Sequence, residues 1–272
     1  MMGVIDPRDR EELNDIQNAI PHADCVPQQR FVAFCDVLGF RNLVMTQELT
    51  QLGRTYAEIL RHVKGARINF KTYPSPTPGV PERYKAGTVV FSDSILVWSD
   101  PIPATEPGAE QLYFSYLGAL FGFALHGGLA LRVGVAYGDC IVDPEFGLYV
   151  GRPIVDAYET EQLQDWVGIA CHASCFESPH GKYLCMREAS NGWQVGPLIE
   201  YDIPIKPGRS VDKPVRHSTD WPHWSLPDFG GHNELKAFLS SKVKEFSGTV
   251  YEARWQRALS YCEYRLSWWD HP

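Results

Sequence analysis

The chain has 272 residues, of which 44% are hydrophobic and 21% charged, and its formal net charge is −8. This balance is typical of a globular protein with a substantial core and argues against a largely disordered chain. The acidic net charge and the lack of a basic run give no support for binding to nucleic acid or to an anionic membrane surface.

The start of the chain and its longest apolar run argue against export and membrane insertion. The N-terminal stretch MMGVIDPRDREELNDIQNAI is polar and acidic, unlike a secretory signal peptide. The apolar run within residues 112–138 stays unbroken for only about 14 residues, too few for a membrane helix. Seven scattered cysteines without a secretory signal are typical of reduced thiols. We therefore expect a cytoplasmic protein without a membrane span.

Hydrophobic periodicity and turn residues predict alternating helices and strands. The predicted elements, in chain order, are a short helix over 10–20, a strand over 30–38, one or two helices over 41–66, strands over 83–91 and 94–99, a helix over 108–127, strands over 129–142 and 147–151, a helix over 152–166 and a strand over 167–174. Only Ser92 and Asp93 separate the two strands of the middle pair, which predicts a hairpin.

The last third of the chain is less regular. Residues 202–232 carry many Pro, His and Trp residues and are predicted to be an irregular segment, with His217, His223 and His232 on its surface or reaching a partner subunit. A final helical stretch is predicted from Glu234 to Trp269, with a break near Gly248.

The order strand, helix, strand, strand, helix, strand predicts an α+β fold with a ferredoxin-like βαββαβ core. We expect one domain, with an N-terminal lead-in over 1–29, the core over 30–201 and a C-terminal elaboration of helices and loops over 202–272. In this topology the first strand lies antiparallel to the third. The end of the first strand, at Asp36, therefore meets the start of the third, at Asp93.

Two carboxylates at one sheet edge repel each other unless a cation lies between them. Mg²⁺ and Mn²⁺ prefer carboxylate oxygens and complete their coordination with substrate phosphate. Gly39 follows Asp36 in the turn DVLGF, where backbone N–H groups at a helix start favour a polyphosphate. The alternative is that Asp36 and Asp93 are ordinary turn or cap residues, since SDS at 92–94 is a good turn by itself.

Four ordered segments, FCDVLGF, VVFSDSILV, LRVGVAYGDCIV and GRPIVDAYETE, resemble the sequence blocks of class III nucleotidyl cyclases over residues 30–170. The resemblance implies a homodimer with active sites between the subunits and two divalent ions, Mg²⁺ or Mn²⁺. It implies that two aspartates and one backbone carbonyl hold the ions, and that the following turn binds the triphosphate of a nucleoside triphosphate. The residues so implied are Asp36, Asp93 and Val37 for the ions, and Leu38, Gly39 and Phe40 for the triphosphate.

The fourth block departs from the family pattern. Val155 stands where the family has an Asn, and Glu159 stands where it has an Arg that stabilises the transition state. Arg152, Arg132 and Arg41 are the candidates for a replacement cation, and Arg152 is our choice for the catalytic one. The alternative is a catalytically inactive, dimeric nucleotide-binding module.

The base-reading positions depart as well. Val89 and Leu148 stand where adenylyl cyclases have a Lys and an Asp, and the Glu and Cys of guanylyl cyclases are absent. The chain more closely resembles the bacterial Pycsar cyclases, which implies synthesis of cyclic UMP or cyclic CMP from UTP or CTP, for a separate effector in antiphage defence. A purine cyclase stays open. A palm-type phosphotransferase is disfavoured because no GGDEF-like turn joins the hairpin strands.

The segment CHASCFESPH hints at a zinc site. Its candidate ligands are Cys171, His172, Cys175 and His180. Their spacing matches no common zinc finger, and buried thiols are frequent core residues, so we favour the structural interpretation.

Overall fold

A computed structural model of the protein describes residues 25–65, 86–105, 108–185, 187–188, 194–209 and 215–267. The strands are β1 (Gln28–Val37), β2 (Ala86–Phe91), β3 (Ser94–Ser99), β4 (Leu131–Asp143), β5 (Leu148–Gly151), β6 (Gly168–Cys171), β7 (Arg187–Glu188), β8 (Gln194–Val195), β9 (Leu198–Glu200) and β10 (His217–Thr219). The helices are α1 (Phe40–Thr46), α2 (Leu49–Gly65), α3 (Ala109–His126), α4 (Arg152–Leu163), α5 (Trp221–Phe229), α6 (His232–Glu245) and α7 (Glu252–Leu266). None of these helices has the length and apolar character needed to span a membrane.

The main sheet has the strand order β2–β3–β1–β4–β5, and β6 pairs with β4. β6 runs parallel to β4, whereas the other neighbouring strands are antiparallel. The order of the first four strands, with helices between β1 and β2 and between β3 and β4, is that of a ferredoxin-like unit. The predicted α+β fold class is therefore confirmed.

The alternation of side chains along β1 places Asp36 on the face of the sheet opposite to the main core. Phe31 and Cys35 are fully buried in the main core, where the rings of Phe31 and Phe114 of α3 lie 5.0 Å apart between centroids. Val32 belongs to a second, smaller core cluster on the other face. Asp36 has the same parity as Val32, so it also points to this second face.

Helix α4 packs directly on this second face. A Cβ atom at Gly134 of β4 would lie 2.0 Å from the carbonyl oxygen of Ala157, so only glycine permits so close a contact. This contact places the C-terminal half of α4, with Glu161, over Arg132 of β4.

The C-terminal elements share the main core with the sheet. Trp221 of α5 and Tyr261 of α7 are fully buried, and the ring of Trp221 lies 4.8 Å from that of Phe121 in α3. The helices α6 and α7 are separated around Gly248, which has a φ of 77°, as the sequence predicted. The division of the domain into three segments, proposed from the sequence, stays a prediction.

The prediction of an irregular segment over 202–232 was wrong in part. Strand β10 and helix α5 lie within it. Pro222 occupies the first turn of α5, where a backbone N–H would have no acceptor within the helix, so proline loses no hydrogen bond there. Gly230 ends the helix with a φ of 85°. Pro222 is therefore compatible with a short helix, and the helix also contains Pro227 in its interior. The predicted helix over 10–20 lies outside the described residues.

Candidate active site

The sheet register brings Asp36 and Asp93 to the same edge. Asp36 pairs with Ser94 of β3 on one side and with Arg132 of β4 on the other. Asp93 is the second residue of the two-residue hairpin turn and directly precedes Ser94, the first residue of β3. The carbonyl oxygen of Asp93 accepts a hydrogen bond of 2.9 Å from the N–H of Val37. The backbone thus ties the end of β1 to the residue before β3.

The two carboxylates at this edge differ in their partners. Burial raises the pKa of Asp36 above its ordinary value, the positive charge of Arg132 opposes this shift, and the negative charge of Asp93 adds to it. Arg132 donates from Nη2 to Oδ2 of Asp36 at 3.1 Å. Within the described part of the chain, the carboxylate of Asp93 has neither a hydrogen bond nor an ion pair. Within the described residues, the edge therefore has one carboxylate that is paired with a cation, Asp36, and one that is not, Asp93.

Arg132 is the centre of a buried ion network. Arg132 is 5% exposed, and its Nε donates a hydrogen bond to Oε1 of Glu161, which is fully buried. Gln162 donates from Nε2 to the other Glu161 oxygen at 2.6 Å. Burial raises the pKa of Glu161, and the charge and hydrogen bond of Arg132 oppose the shift. Arg132, one of the three candidate cations, is thus already paired with two carboxylates.

Two further cations near this network were missed in the sequence. The positive charges of Lys206 and Arg254 both oppose the rise in the pKa of Asp36 that burial causes. Burial lowers the pKa of Lys206 itself, and the charge of Arg132 lowers it further. Both residues lie beyond residue 170, where the resemblance to the cyclases ends, and no motif marks them. Only the proximity of the C-terminal segments to the sheet identifies them.

Asp165, which follows α4, holds the C-terminal helix α7 against this region. It accepts a hydrogen bond of 2.9 Å from Nε of Arg254 and another from Arg257. Burial would raise the pKa of Asp165, but the hydrogen bonds from Arg257 and Arg254 outweigh it, so the pKa is lowered. This cluster fixes the position of Arg254 relative to the aspartate edge.

The predicted phosphate turn lies beside the two aspartates. Gly39 has a φ of 75° and precedes α1, which has seven residues. The N–H of Leu38 donates to the carbonyl oxygen of Ala130 at 2.8 Å, which anchors the turn to the segment before β4. An open depression of about 260 Å³ borders the turn, and its lining includes Arg41 and Tyr251.

Tyr56 of α2 is a further polar group at this site. Its hydroxyl is buried and has no hydrogen-bond partner in the described structure. Burial raises the pKa of Tyr56 to about 12, and the negative charges of Asp93 and Asp36 contribute. A buried hydroxyl without a partner costs about 1–3 kcal/mol. Such a group at a candidate site therefore requires an explanation.

Three residues of the fourth block, Arg152, Val155 and Glu159, lie on the outer side of α4. The side chain of Arg152 is 86% exposed, and its Nε lies 3.4 Å from Oδ2 of Asp156. Val155 is 53% exposed and Glu159 is also exposed. Within the described chain no hydrogen bond or ion pair joins Arg152 to Asp36. Its catalytic role stays a prediction.

The two predicted base-reading positions are apolar and half-buried. Val89 of β2 pairs with Leu96 of β3 and packs against the second core cluster. Leu148 begins β5 and pairs with Asp143. The structure places both on the main sheet, without a polar group at either position.

The histidines and cysteines outside this edge have structural surroundings. Among the described residues, no three His, Cys, Asp or Glu side chains are grouped so as to hold a metal ion. His172 instead contacts Oγ of Ser174 at 2.9 Å through Nδ1. His217 and His223, expected on the surface of a loop, lie in β10 and α5, and burial lowers the pKa of each. The expectation of a loop was wrong for these two residues, which are half-buried where the segment folds onto the core, and their reach to a partner subunit stays a prediction.

No protein-family model matches the chain, and a comparison with curated proteins finds no similar sequence. Among solved structures, the chain is similar to the catalytic core of a rhodopsin-guanylyl cyclase with converted specificity in complex with ATPαS, with 11% identity, a TM-score of 0.47 and coverage of 71% of this chain and 93% of that one. It is also similar to the guanylate cyclase domain of RhGC from Catenaria anguillulae in complex with GTP, with 10% identity, a TM-score of 0.42 and coverage of 70% and 93%.

A third similar structure is a bacterial light-regulated adenylyl cyclase, with 11% identity, a TM-score of 0.42 and coverage of 72% of this chain and 92% of that one. Identities and TM-scores this low do not establish a function. We therefore base the functional proposal on the residues of the site.

Proposed function

We propose that the chain is a metal-dependent nucleotidyl cyclase, which converts a nucleoside triphosphate to its 3′,5′-cyclic monophosphate and pyrophosphate. The observation that supports this most is the convergence of Asp36 and Asp93 at one sheet edge beside the Gly39 turn. Hard cations prefer carboxylate oxygens, and within the described residues the carboxylate of Asp93 has no hydrogen bond or ion pair that would compete with such an ion.

The donor set fits Mg²⁺ or Mn²⁺, since it consists of the carboxylates of Asp36 and Asp93 and the backbone carbonyl of Val37. When bound, two such ions would lower the pKa of the attacking 3′-hydroxyl and neutralise charge on the phosphates. Arg132 donates to only one oxygen of Asp36, so it orients this carboxylate and leaves the other oxygen available. Leu38, Gly39 and Phe40 would bind the triphosphate.

The outer face of α4 supports a homodimer whose active sites combine both subunits. Tyr158 is 46% exposed, and its ring lies 5.2 Å from that of Phe34, which is on the same sheet face as Asp36. Together with Val155, which is 53% exposed, these side chains form an apolar surface next to the aspartate edge. We assign this surface to the dimer contact, which would bring Arg152 of one subunit to the aspartates of the other.

The resemblance to the Pycsar cyclases is the basis for assigning a pyrimidine substrate, UTP or CTP, and the apolar Val89 and Leu148 add only that the usual purine-reading pair is absent. A site that selects a purine must hydrogen-bond its polar edge, and neither side chain can do so. The product would then act through a separate effector protein in antiphage defence. The alternative, a purine cyclase, would need base-reading groups elsewhere in the chain.

A catalytically inactive nucleotide-binding dimer is the second candidate function. The exposed carboxylate of Glu159 at the position expected to carry a cation favours it. Such a module would bind metal and nucleotide at the same edge without turnover.

Incubation of the purified chain with each of the four nucleoside triphosphates and Mn²⁺, followed by mass spectrometry, tests the proposal. We expect a cyclic monophosphate from UTP or CTP. Asp93→Asn should reduce its formation by about 100-fold or more, because ion binding supplies several kcal/mol of transition-state stabilisation. The control is Asp202→Asn, since that side chain is 95% exposed. Binding without any cyclic product would establish the inactive module, and a cyclic purine product would refute the pyrimidine assignment.

A mixing experiment tests the shared active site. Asp93→Asn and Arg152→Ala should each be inactive alone, because each disables both sites of its own dimer. In a mixed dimer one site carries both substitutions and the other carries none, so an equal mixture should regain about a quarter of the wild-type activity. Absence of recovery, when mixed dimers are shown to form, would rule out this role for Arg152.

A further inference from the structure

Tyr56 occupies a fixed position in the fold. Leu52, Tyr56 and Ile59 lie at spacings of four and three residues along α2, so they share one helix face. Leu52 is 4% exposed and Ile59 is 1% exposed. The core therefore holds the backbone on both sides of Tyr56, and the direction of its side chain is set by the packing of α2.

The surroundings of the Tyr56 ring place it at the aspartate edge. The ring of Phe40, the residue after Gly39, lies 6.2 Å away in an edge-on arrangement. The negative charges of Asp93 and Asp36 both act on the phenol. Even so, the hydroxyl forms a hydrogen bond with neither carboxylate, nor with any other group in the described part of the protein.

The chemistry of a phenol restricts what the missing partner can be. With an ordinary pKa of about 10, the hydroxyl keeps its proton at neutral pH and is a donor. It would have to lose that proton to become a strong ligand for a hard cation. An anionic oxygen atom is therefore its best partner, and a bound triphosphate offers several of them beside the turn.

We propose that the Tyr56 hydroxyl donates a hydrogen bond to a phosphate oxygen of the metal-bound triphosphate. This inference rests on the proposed function, because it places the triphosphate at the Asp36–Asp93 edge. It makes Tyr56 a binding residue that recognises the anion, whichever base the nucleotide carries.

Binding of Mn²⁺ with inorganic tripolyphosphate, measured by calorimetry on the full chain, tests the inference without knowledge of the base. We expect Tyr56→Phe to raise the dissociation constant by about 10-fold or more, since the lost hydrogen bond is to a charged group. Binding of Mn²⁺ alone should not change. The control is Tyr183→Phe, since Tyr183 is 48% exposed and lies in a short 3₁₀ helix far along the chain.

The thermal midpoint of the ligand-free protein distinguishes binding from a structural role. Tyr56→Phe removes a hydroxyl that has no partner among the described residues, so the midpoint should stay the same or rise. A lower midpoint, or an unchanged dissociation constant for tripolyphosphate, would overturn the inference. Equal weakening of Mn²⁺ alone would also overturn it, because the hydroxyl would then act on the cation.

The Asp93→Asn variant separates this inference from the proposed function. If the wild-type chain binds Mn²⁺ with tripolyphosphate and Asp93→Asn does not, the metal site stands, and Tyr56→Phe alone decides the role of Tyr56. If Asp93→Asn binds as tightly as the wild type, both proposals are refuted.

Discussion

Asp93 and Asp165 are two carboxylates that flank the same network of charges, yet their surroundings are opposite. Asp165 accepts hydrogen bonds from Arg254 and Arg257, and its pKa is lowered. Asp93 has no such partner in the described structure, and its charge raises the pKa of the neighbouring Asp36.

This difference separates charges that stabilise the fold from charges that are available to bind a cation. The ionised form of Asp165 is favoured by folding, so its ion pairs contribute to stability. The ionised form of Asp36 is disfavoured by folding, so this carboxylate lowers the free energy of unfolding, and a bound cation would offset that loss. Substitutions in each region can test this contrast.

The largest expected effect is that of Arg132→Met. It removes the cation between Asp36 and the fully buried Glu161 and leaves a buried charge unpaired, which costs about 3–5 kcal/mol. Urea denaturation at neutral pH measures it. Arg216→Met is the control, because its side chain is 57% exposed and its loss should cost under about 0.5 kcal/mol. Equal effects of the two substitutions would mean that the network does not stabilise the fold.

An intermediate effect is expected for Asp165→Asn. At neutral pH it should lower the free energy of unfolding by about 1–3 kcal/mol, because hydrogen bonds from two arginines lose their charged acceptor. The folded pKa of Asp165 is below the unfolded value of about 3.9. The stabilisation is therefore present above that value and lost as the pH falls through the folded pKa. A difference between variant and wild type that stays constant from pH 7 to pH 3 would contradict this assignment.

The smallest effect is expected for the same substitution at the other carboxylate. Asp93→Asn, measured in the presence of a chelator, should change the free energy of unfolding by less than about 0.5 kcal/mol or raise it slightly, because it relieves repulsion on Asp36. Mn²⁺ should raise the thermal midpoint of the wild type but not that of the variant. A destabilisation as large as that of Asp165→Asn would remove the distinction between the two regions.

Much of the scaffold of the candidate site could be predicted because it depends on neighbours in the sequence. The alternation along β1, the two-residue turn at Ser92 and Asp93, and the left-handed Gly39 are local features. Combined with the ferredoxin-like strand order, they indicated that Asp36 and Asp93 meet at one edge. The helix α5 was missed, because Pro222 was interpreted as a loop signal without regard to its position in the first turn, and Pro227 lies inside the helix.

The sequence by itself determined the order of the elements, the fold class and the edge that carries the two aspartates. Only the tertiary structure decided which charges are paired. Arg132 meets Asp36 across 96 positions of sequence, and Asp165 meets Arg254 across 89. On α4 it buries Glu161 against Arg132 and leaves Glu159 exposed. The physical reason is that ion pairing and desolvation depend on distance in space and on burial, which strand register and helix packing set and local sequence patterns do not contain.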